Sequence, residues 1–227
     1  MKTAQQFRPG PPSALTSARW ARDFGEIKAI GGKNSAKRSA EQTDVARFWE
    51  ATGPIIYFPI VRSLTAAGGR EITRNARLFA LAAQAMDDAL IAVFDAKYAY
   101  NFWRPITSIR NGELDGNQAT DPDATWLPLL ETPMHPEYPC AHCIVAAALG
   151  TVIASEIGAQ PPSPLHTSSP TLPGKPRRWS SVDDFITEVA NARIWAGVHY
   201  RNSTEVGTAM GRKVGEQVMH GAASPAK

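Results

Sequence analysis

The strongest pattern along the chain is an apolar face at helical spacing. Leu78, Leu81, Ala82, Ala85, Ala89 and Val93 recur at steps of three and four, predicting a long helix from about Glu71 to Trp103. Pro105 restricts Arg104 and ends or kinks that helix. Upstream, Trp20, Phe24 and Ile27 mark a helix over Ser17 to Ile30, stopped by Gly31 and Gly32. Ser39 followed by Gln42 is a capping-box signature for a helix through Trp49, closed by Gly53 and Pro54. Downstream, helices are expected from about His142 to Ile157, from Ser180 to Trp195 and from Ser203 to His220, the last started by Asn202 and Glu205. There Gly207, Gly211 and Gly215 fall every fourth residue, the spacing of a close helix–helix seam.

No segment shows a convincing period of two, so no strand is predicted. Pro161, Pro162, Pro164, Pro170, Pro173 and Pro176 crowd one stretch, which reads as a long irregular surface loop. The expected fold is all-α: a helical bundle with the active site in its core. Residues 1–70 would supply an extended segment and short helices, packed on a bundle of residues 71–227 in which 160–178 form the Pro-rich loop.

Composition narrows the classes. A chain of 227 residues, 43% hydrophobic and 20% charged, has the profile of an ordinary soluble globular protein. The net charge of +3 is spread along the chain and leaves no electrostatic footprint for nucleic acid. The longest near-apolar run, Ile144 to Ala154, is 11 residues and reads as a buried core helix, not a membrane span. Met1 to Thr16 contain no apolar core, so no signal peptide is visible. Two cysteines three apart rule out a disulfide framework. Cys140 and Cys143 read as small buried packing groups, with a zinc site shared with His135 or His142 as the alternative.

The most informative feature is a register. Ala83, Leu90, Lys97 and Arg104 are each seven apart, and beside them run Phe79, Met86, Val93 and Tyr100. Two apolar rows thus lead into two cations, and a buried unpaired charge is costly, so something negative is needed there. Asp87, Asp88 or Asp95 could be internal partners, or the helix could emerge into solvent near Tyr98 and let both cations snorkel. A third option is an anion. Arg193 and His199 lie near the end of another helix, with His199 just before the Asn202 cap, where the helix dipole favours negative charge. His142 opens a third helix directly after Pro139-Cys140-Ala141. Three cations and two histidines at three helix ends satisfy the requirements of an oxyanion site. His135, His166 and His220 receive no role.

Lys97-(six residues)-Arg104-Pro105, then Pro139-Cys140-Ala141-His142, then Arg193-(five residues)-His199 resemble, in order and spacing, the three signature blocks of one superfamily. It joins the vanadium-dependent haloperoxidases to the type-2 phosphatidic acid phosphatases and bacterial acid phosphatases. The surroundings KYAYNFWRPITSIR and HPEYP look closest to its soluble haloperoxidase branch.

The resemblance implies that Lys97, Arg104, Arg193 and the Cys140-Ala141 turn hold the oxygens of vanadate or phosphate. His199 would be the axial group, the vanadium ligand or the phosphoryl acceptor, and His142 the acid–base. As a haloperoxidase the chain would use vanadate, hydrogen peroxide and halide, with Lys97 polarising the peroxide. As a phosphatase it would need no cofactor and would cleave a phosphate monoester through a phosphohistidine. A non-catalytic oxyanion-binding remnant is the third reading. Cys140-Ala141 stand where the family usually has Ser-Gly, and Ser203 stands where some haloperoxidases carry an acid four residues after the axial histidine. A pocket thiol beside peroxide and hypohalite would climb the oxidation ladder, which counts against haloperoxidase chemistry.

Overall fold

The computed structural model describes residues 1, 3–66 and 69–223. Its helices are α1 (Ala18–Ile30), α2 (Ala40–Phe48), α3 (Pro54–Thr65), α4 (Ile72–Tyr100), α5 (Pro105–Arg110), α6 (Ala141–Glu156), α7 (Val182–Trp195) and α8 (Arg201–Ala223). The fold is an all-α bundle carrying one small hairpin.

α6 is the axis. Every residue from Cys143 to Gly150 on it is buried, and α4, α7 and α8 pack around it. The glycine seam forms as expected. A side chain at Gly211 would put its Cβ 2.2 Å from the Ile144 carbonyl, and one at Gly207 would put it 2.6 Å from that of Cys140. Only glycine lets α8 approach the α6 backbone this closely. That seam fixes the height of α8, and hence of the residues that precede it.

Local chemistry explains most of the helix ends. Ser17 accepts from the Trp20 N–H, Ser39 and Gln42 form the reciprocal capping box, and Ser181 accepts from Asp184 N–H. The expected N-terminus of α8 needs correcting. It begins at Arg201, and the carboxylate of Asp23 on α1 accepts from the Asn202 N–H at 2.9 Å.

Two helices escaped the sequence pattern. α3 and α5 both begin with proline, at Pro54 and Pro105. Both prolines read as stops, yet each occupies the first helical position, where the missing N–H costs nothing. α4 therefore ends at Tyr100, with Asn101 in a left-handed conformation (φ 46°), and Arg104 is the N-cap of α5 rather than a fourth member of the α4 row. Ala83 is exposed and Leu90 is 39% exposed, so that row does not lie on a packed core.

The Pro-rich stretch is also corrected. β1 (Leu165–Ser169) and β2 (Leu172–Trp179) form an antiparallel hairpin with Leu165 opposite Trp179. Pro170 sits in the turn, and Pro173 and Pro176 lie in a strand of a two-stranded sheet, where an N–H can be spared. The inward positions Thr167 and Ser169 are polar, so hydrophobicity does not alternate. Their hydroxyls donate to the carbonyls of Ile56 (3.1 Å) and Phe48 (2.7 Å), which lets them be buried.

Candidate active site

Lys97 is fully buried on the last turn of α4. Its ammonium donates to the carbonyls of Pro136 and Glu137, both at 2.8 Å. The aspartates of its own helix are engaged elsewhere: Asp88 pairs with the N-terminal amine and Asp95 with Arg8. Asp87 is exposed. Neither an α4 carboxylate nor escape to solvent accounts for this lysine. Burial first, then Arg104 and Arg193, pull its pKa well below the ordinary value against the attraction of Glu137.

Arg104 is anchored by carbonyls. Its Nε donates to His135 O at 2.9 Å and Nη1 to Val198 O at 2.8 Å. Nη2 lies 3.1 Å from His135 Nδ1, and Nη1 lies 3.4 Å from His199 Nε2. A guanidinium can only donate, so His199 Nε2 faces it as an acceptor, while His135 Nδ1 lies between Arg104 and the Pro136 carbonyl, 3.1 Å from each. His135, to which the sequence assigned no role, is thus a neutral partner of Arg104; burial and the surrounding cations push its pKa down to about 4. Arg193, 3% exposed on α7, donates from Nη1 to the Trp49 carbonyl at 2.8 Å, while its buried Nε has no partner. Burial lowers the pKa of Arg104 and Arg193 to about 10 each, and Arg104 further depresses Arg193.

Glu137 is the residue that the sequence reading missed. It is fully buried, and its Oε1 lies 2.8 Å from His199 Nδ1 while accepting the Tyr200 N–H at 3.1 Å. It supplies the carboxylate that Ser203 lacks; the Ser203 hydroxyl lies 3.4 Å from the same ring nitrogen. With Nδ1–H directed at a carboxylate, the lone pair of His199 is left on Nε2. Burial raises Glu137 to about 7 against the pull of Lys97 and Arg104. Burial, then Arg104, Lys97 and Arg193, hold His199 well below its ordinary value, so the ring is neutral. Glu137 could have been suspected from HPEYP, where an acid sits between two prolines two residues after His135. Glu137 takes the N–H of Tyr200, just before α8, and Asp23 that of Asn202 in its first turn, so two of the N–H groups at that helix end already face carboxylates of the chain.

His142 lies in the first turn of α6, and its Nε2 is buried without a partner. Burial and Arg193 depress its pKa well below the usual value. Cys140 caps the same helix, with Sγ accepting from the Cys143 N–H at 3.1 Å. The two sulfurs are joined as a disulfide. This corrects the reading of both residues as reduced packing groups, and it removes the zinc alternative, because neither sulfur is a thiolate. It also removes the oxidation objection, since the pocket holds no thiol. The cost is a donor: a disulfide sulfur cannot give the hydrogen bond that a serine hydroxyl would. Ala141 sits in ordinary helical geometry, so glycine is not required there.

His135, Ala141, His142, Arg193 and His199 line one cavity of about 320 Å³. Lys97, Arg104 and Cys140 do not line it; all three are buried beside it. The exposed Glu50 and Glu131 sit at its mouth. His166 lies on β1 and His220 on the last turn of α8, away from this wall. Among the described residues the buried site holds three cations against one carboxylate. That imbalance, together with the unpartnered His142 Nε2 and Arg193 Nε, fits a bound tetrahedral oxyanion.

The fold agrees with known proteins. The VCPO second helical-bundle domain matches residues 77–227, and the chain belongs to that family. Vanadium chloroperoxidase of Curvularia inaequalis is 26% identical over 266 residues, covering 87% of this chain and 43% of the relative. The crystal structure of a bacterial vanadium-dependent iodoperoxidase superposes with a TM-score of 0.80 at 26% identity, over 97% of this chain and 54% of that one. A holo-type bacterial vanadium-dependent chloroperoxidase, 19% identical, shares the fold with a TM-score of 0.73 over 97% of this chain and 52% of its own. The chain spans about half the length of these relatives. No helix among the described residues is long and apolar enough to cross a membrane.

Proposed function

We propose that this chain carries the oxyanion centre of a vanadium haloperoxidase, oxidising halide with hydrogen peroxide at vanadate held on His199. The observation that supports this most is the uncompensated charge. Lys97, Arg104 and Arg193 are buried around a neutral imidazole whose Nε2 lone pair is fixed by Glu137. A trianionic guest would offset the burial of all three cations at once.

In this reading Arg193 and the first turn of α6 bind oxygens from the cavity side, and Lys97 and Arg104 add positive potential from behind. Glu137 keeps the proton on His199 Nδ1, leaving Nε2 as the ligand atom. His142, with its buried Nε2, holds or moves a proton at that nitrogen. Vanadate, when bound, supplies a Lewis-acidic centre that activates peroxide toward reduction by halide. With Cys140 and Cys143 joined, no thiol is left for the oxidant to consume, so the thiol objection to this chemistry falls away.

The test is iodide and bromide oxidation by the purified chain with vanadate and peroxide, run beside p-nitrophenyl phosphate hydrolysis without vanadate. Vanadate-dependent halide oxidation that disappears in His199→Ala is the expected result. Phosphate turnover alone would select a phosphatase working through the same histidine. Vanadate binding with neither activity would leave an oxyanion-binding remnant.

A further inference from the structure

A second cavity, of about 430 Å³, opens beside the first. Thr52 and Leu90 line both. It lies in the groove between α3 and α4, and Val145, one turn beyond Ala141 on α6, closes its floor. The row of α4 residues that leads to Lys97 borders it, through Ala83 and Leu90. That row contains a small residue and an exposed leucine because it faces a trough.

The chemistry of the wall is specific. Phe58, Met86, Leu90, Val145 and Pro54 supply apolar and polarisable surface. Arene faces find good partners in a phenyl ring and a thioether. The polar groups are Thr52, Gln84 and Asp87, and no lysine or arginine lines the trough. An anionic guest would meet a carboxylate there and no cation, so the wall selects a neutral molecule. Its volume is that of a small-molecule pocket and is too small for a protein segment of any length.

We infer that this trough binds a neutral aromatic molecule and, resting on the function proposed above, that this molecule is the organic acceptor halogenated at the adjoining site. The balanced reaction is Ar–H + X⁻ + H₂O₂ + H⁺ → Ar–X + 2 H₂O. Halide gives two electrons to the peroxide O–O bond. The C–H bond breaks, the C–X bond forms, and the displaced proton leaves in water. An acceptor held next to the site would be halogenated where it is bound, ahead of acceptors in solution.

The experiment uses 2-naphthol as probe and Ala83→Trp, which fills the trough from an exposed position outside the oxyanion cavity. Ala80→Trp, also exposed on α4 but outside the trough, is the control. Naphthol fluorescence, without vanadate or peroxide, should report saturable binding that weakens at least about tenfold in Ala83→Trp and not in Ala80→Trp, a loss of about 1.4 kcal/mol. With the complete reaction mixture, kcat/KM for naphthol should fall by a similar factor in Ala83→Trp while iodide oxidation to triiodide stays unchanged. Equal naphthol binding by wild type and Ala83→Trp overturns the proposal. Naphthol binding without halide oxidation supports the trough and rejects the haloperoxidase reading, so the two failures are separable.

Discussion

Arg177 on the hairpin meets carboxylates from two helices, whereas Arg193 on α7 meets a backbone carbonyl. Arg177 donates to both oxygens of Glu188, at 2.7 and 2.8 Å, and pairs with Glu41 at 2.8 Å. Arg193 is more deeply buried, yet Trp49 O at 2.8 Å is its hydrogen-bond acceptor and its Nε is left over. Trp49 stands between them, its indole N–H donating to Glu188 at 2.9 Å and its carbonyl accepting from Arg193. The difference separates two uses of the same side chain. Where charge is neutralised within the chain it serves structure; where it is buried and left positive, the function proposed above would keep it for a guest.

The comparison breaks most clearly by exchange of roles. Arg193→Ala should weaken phosphate or vanadate binding by roughly 10- to 150-fold, the range for one charge-assisted hydrogen bond, while thermal stability holds or rises. Arg177→Ala should do the reverse, losing about 1–2 kcal/mol of stability with affinity kept within about twofold. Calorimetric titration and thermal melts on both variants read this out. Equal loss of affinity in the two would erase the distinction.

Glu137→Gln sharpens it from the other side by removing the buried carboxylate behind the cavity while keeping an acceptor for His199 Nδ1–H. Two effects then compete: an extra positive charge, and a less basic Nε2. For vanadate, which in the proposed function would be bonded by that nitrogen, the loss of basicity should dominate and cost roughly 10- to 100-fold. For sulfate, which needs only charge, affinity should hold or improve.

The smallest expected effect is that of pH. Burial and neighbouring cations depress Lys97 and His142 in the ligand-free protein, and burial raises Glu137 to about 7. A bound anion raises all three, so binding takes up protons and affinity falls as pH rises. Sulfate, whose own charge is constant over the range, should bind more weakly above pH 7, by at most about tenfold per unit for each proton taken up. Affinity that rises with pH would mean the cations are compensated after all.

Much of this was legible in the chain. The α4 apolar face, the capping box at Ser39 and the seam at Gly207, Gly211 and Gly215 follow from spacing alone, and each forms. The cations and histidines carry side-chain types that need explanation wherever they are buried. What spacing could not reveal was whichever group satisfies them from a distance. Glu137, His135 and the Trp49 carbonyl act through tertiary contacts from loops or helix ends, where no period exists. The hairpin hid for a related reason: Thr167 and Ser169 are inward-facing because of the carbonyls they reach, not because they are apolar. Pro54 and Pro105 show that one residue can close an element or open one, depending on which side the N–H is needed.

The contacts that hold these side chains cross the boundary at which the family-domain match begins. The family match starts at residue 77, yet Trp49 orients Arg193 and Asp23 caps the helix that follows His199. A chain trimmed to the matched region would retain every signature cation and histidine while shedding two of the struts that point them. Its sequence would still look competent. Its guanidinium and its last helix would have lost their moorings.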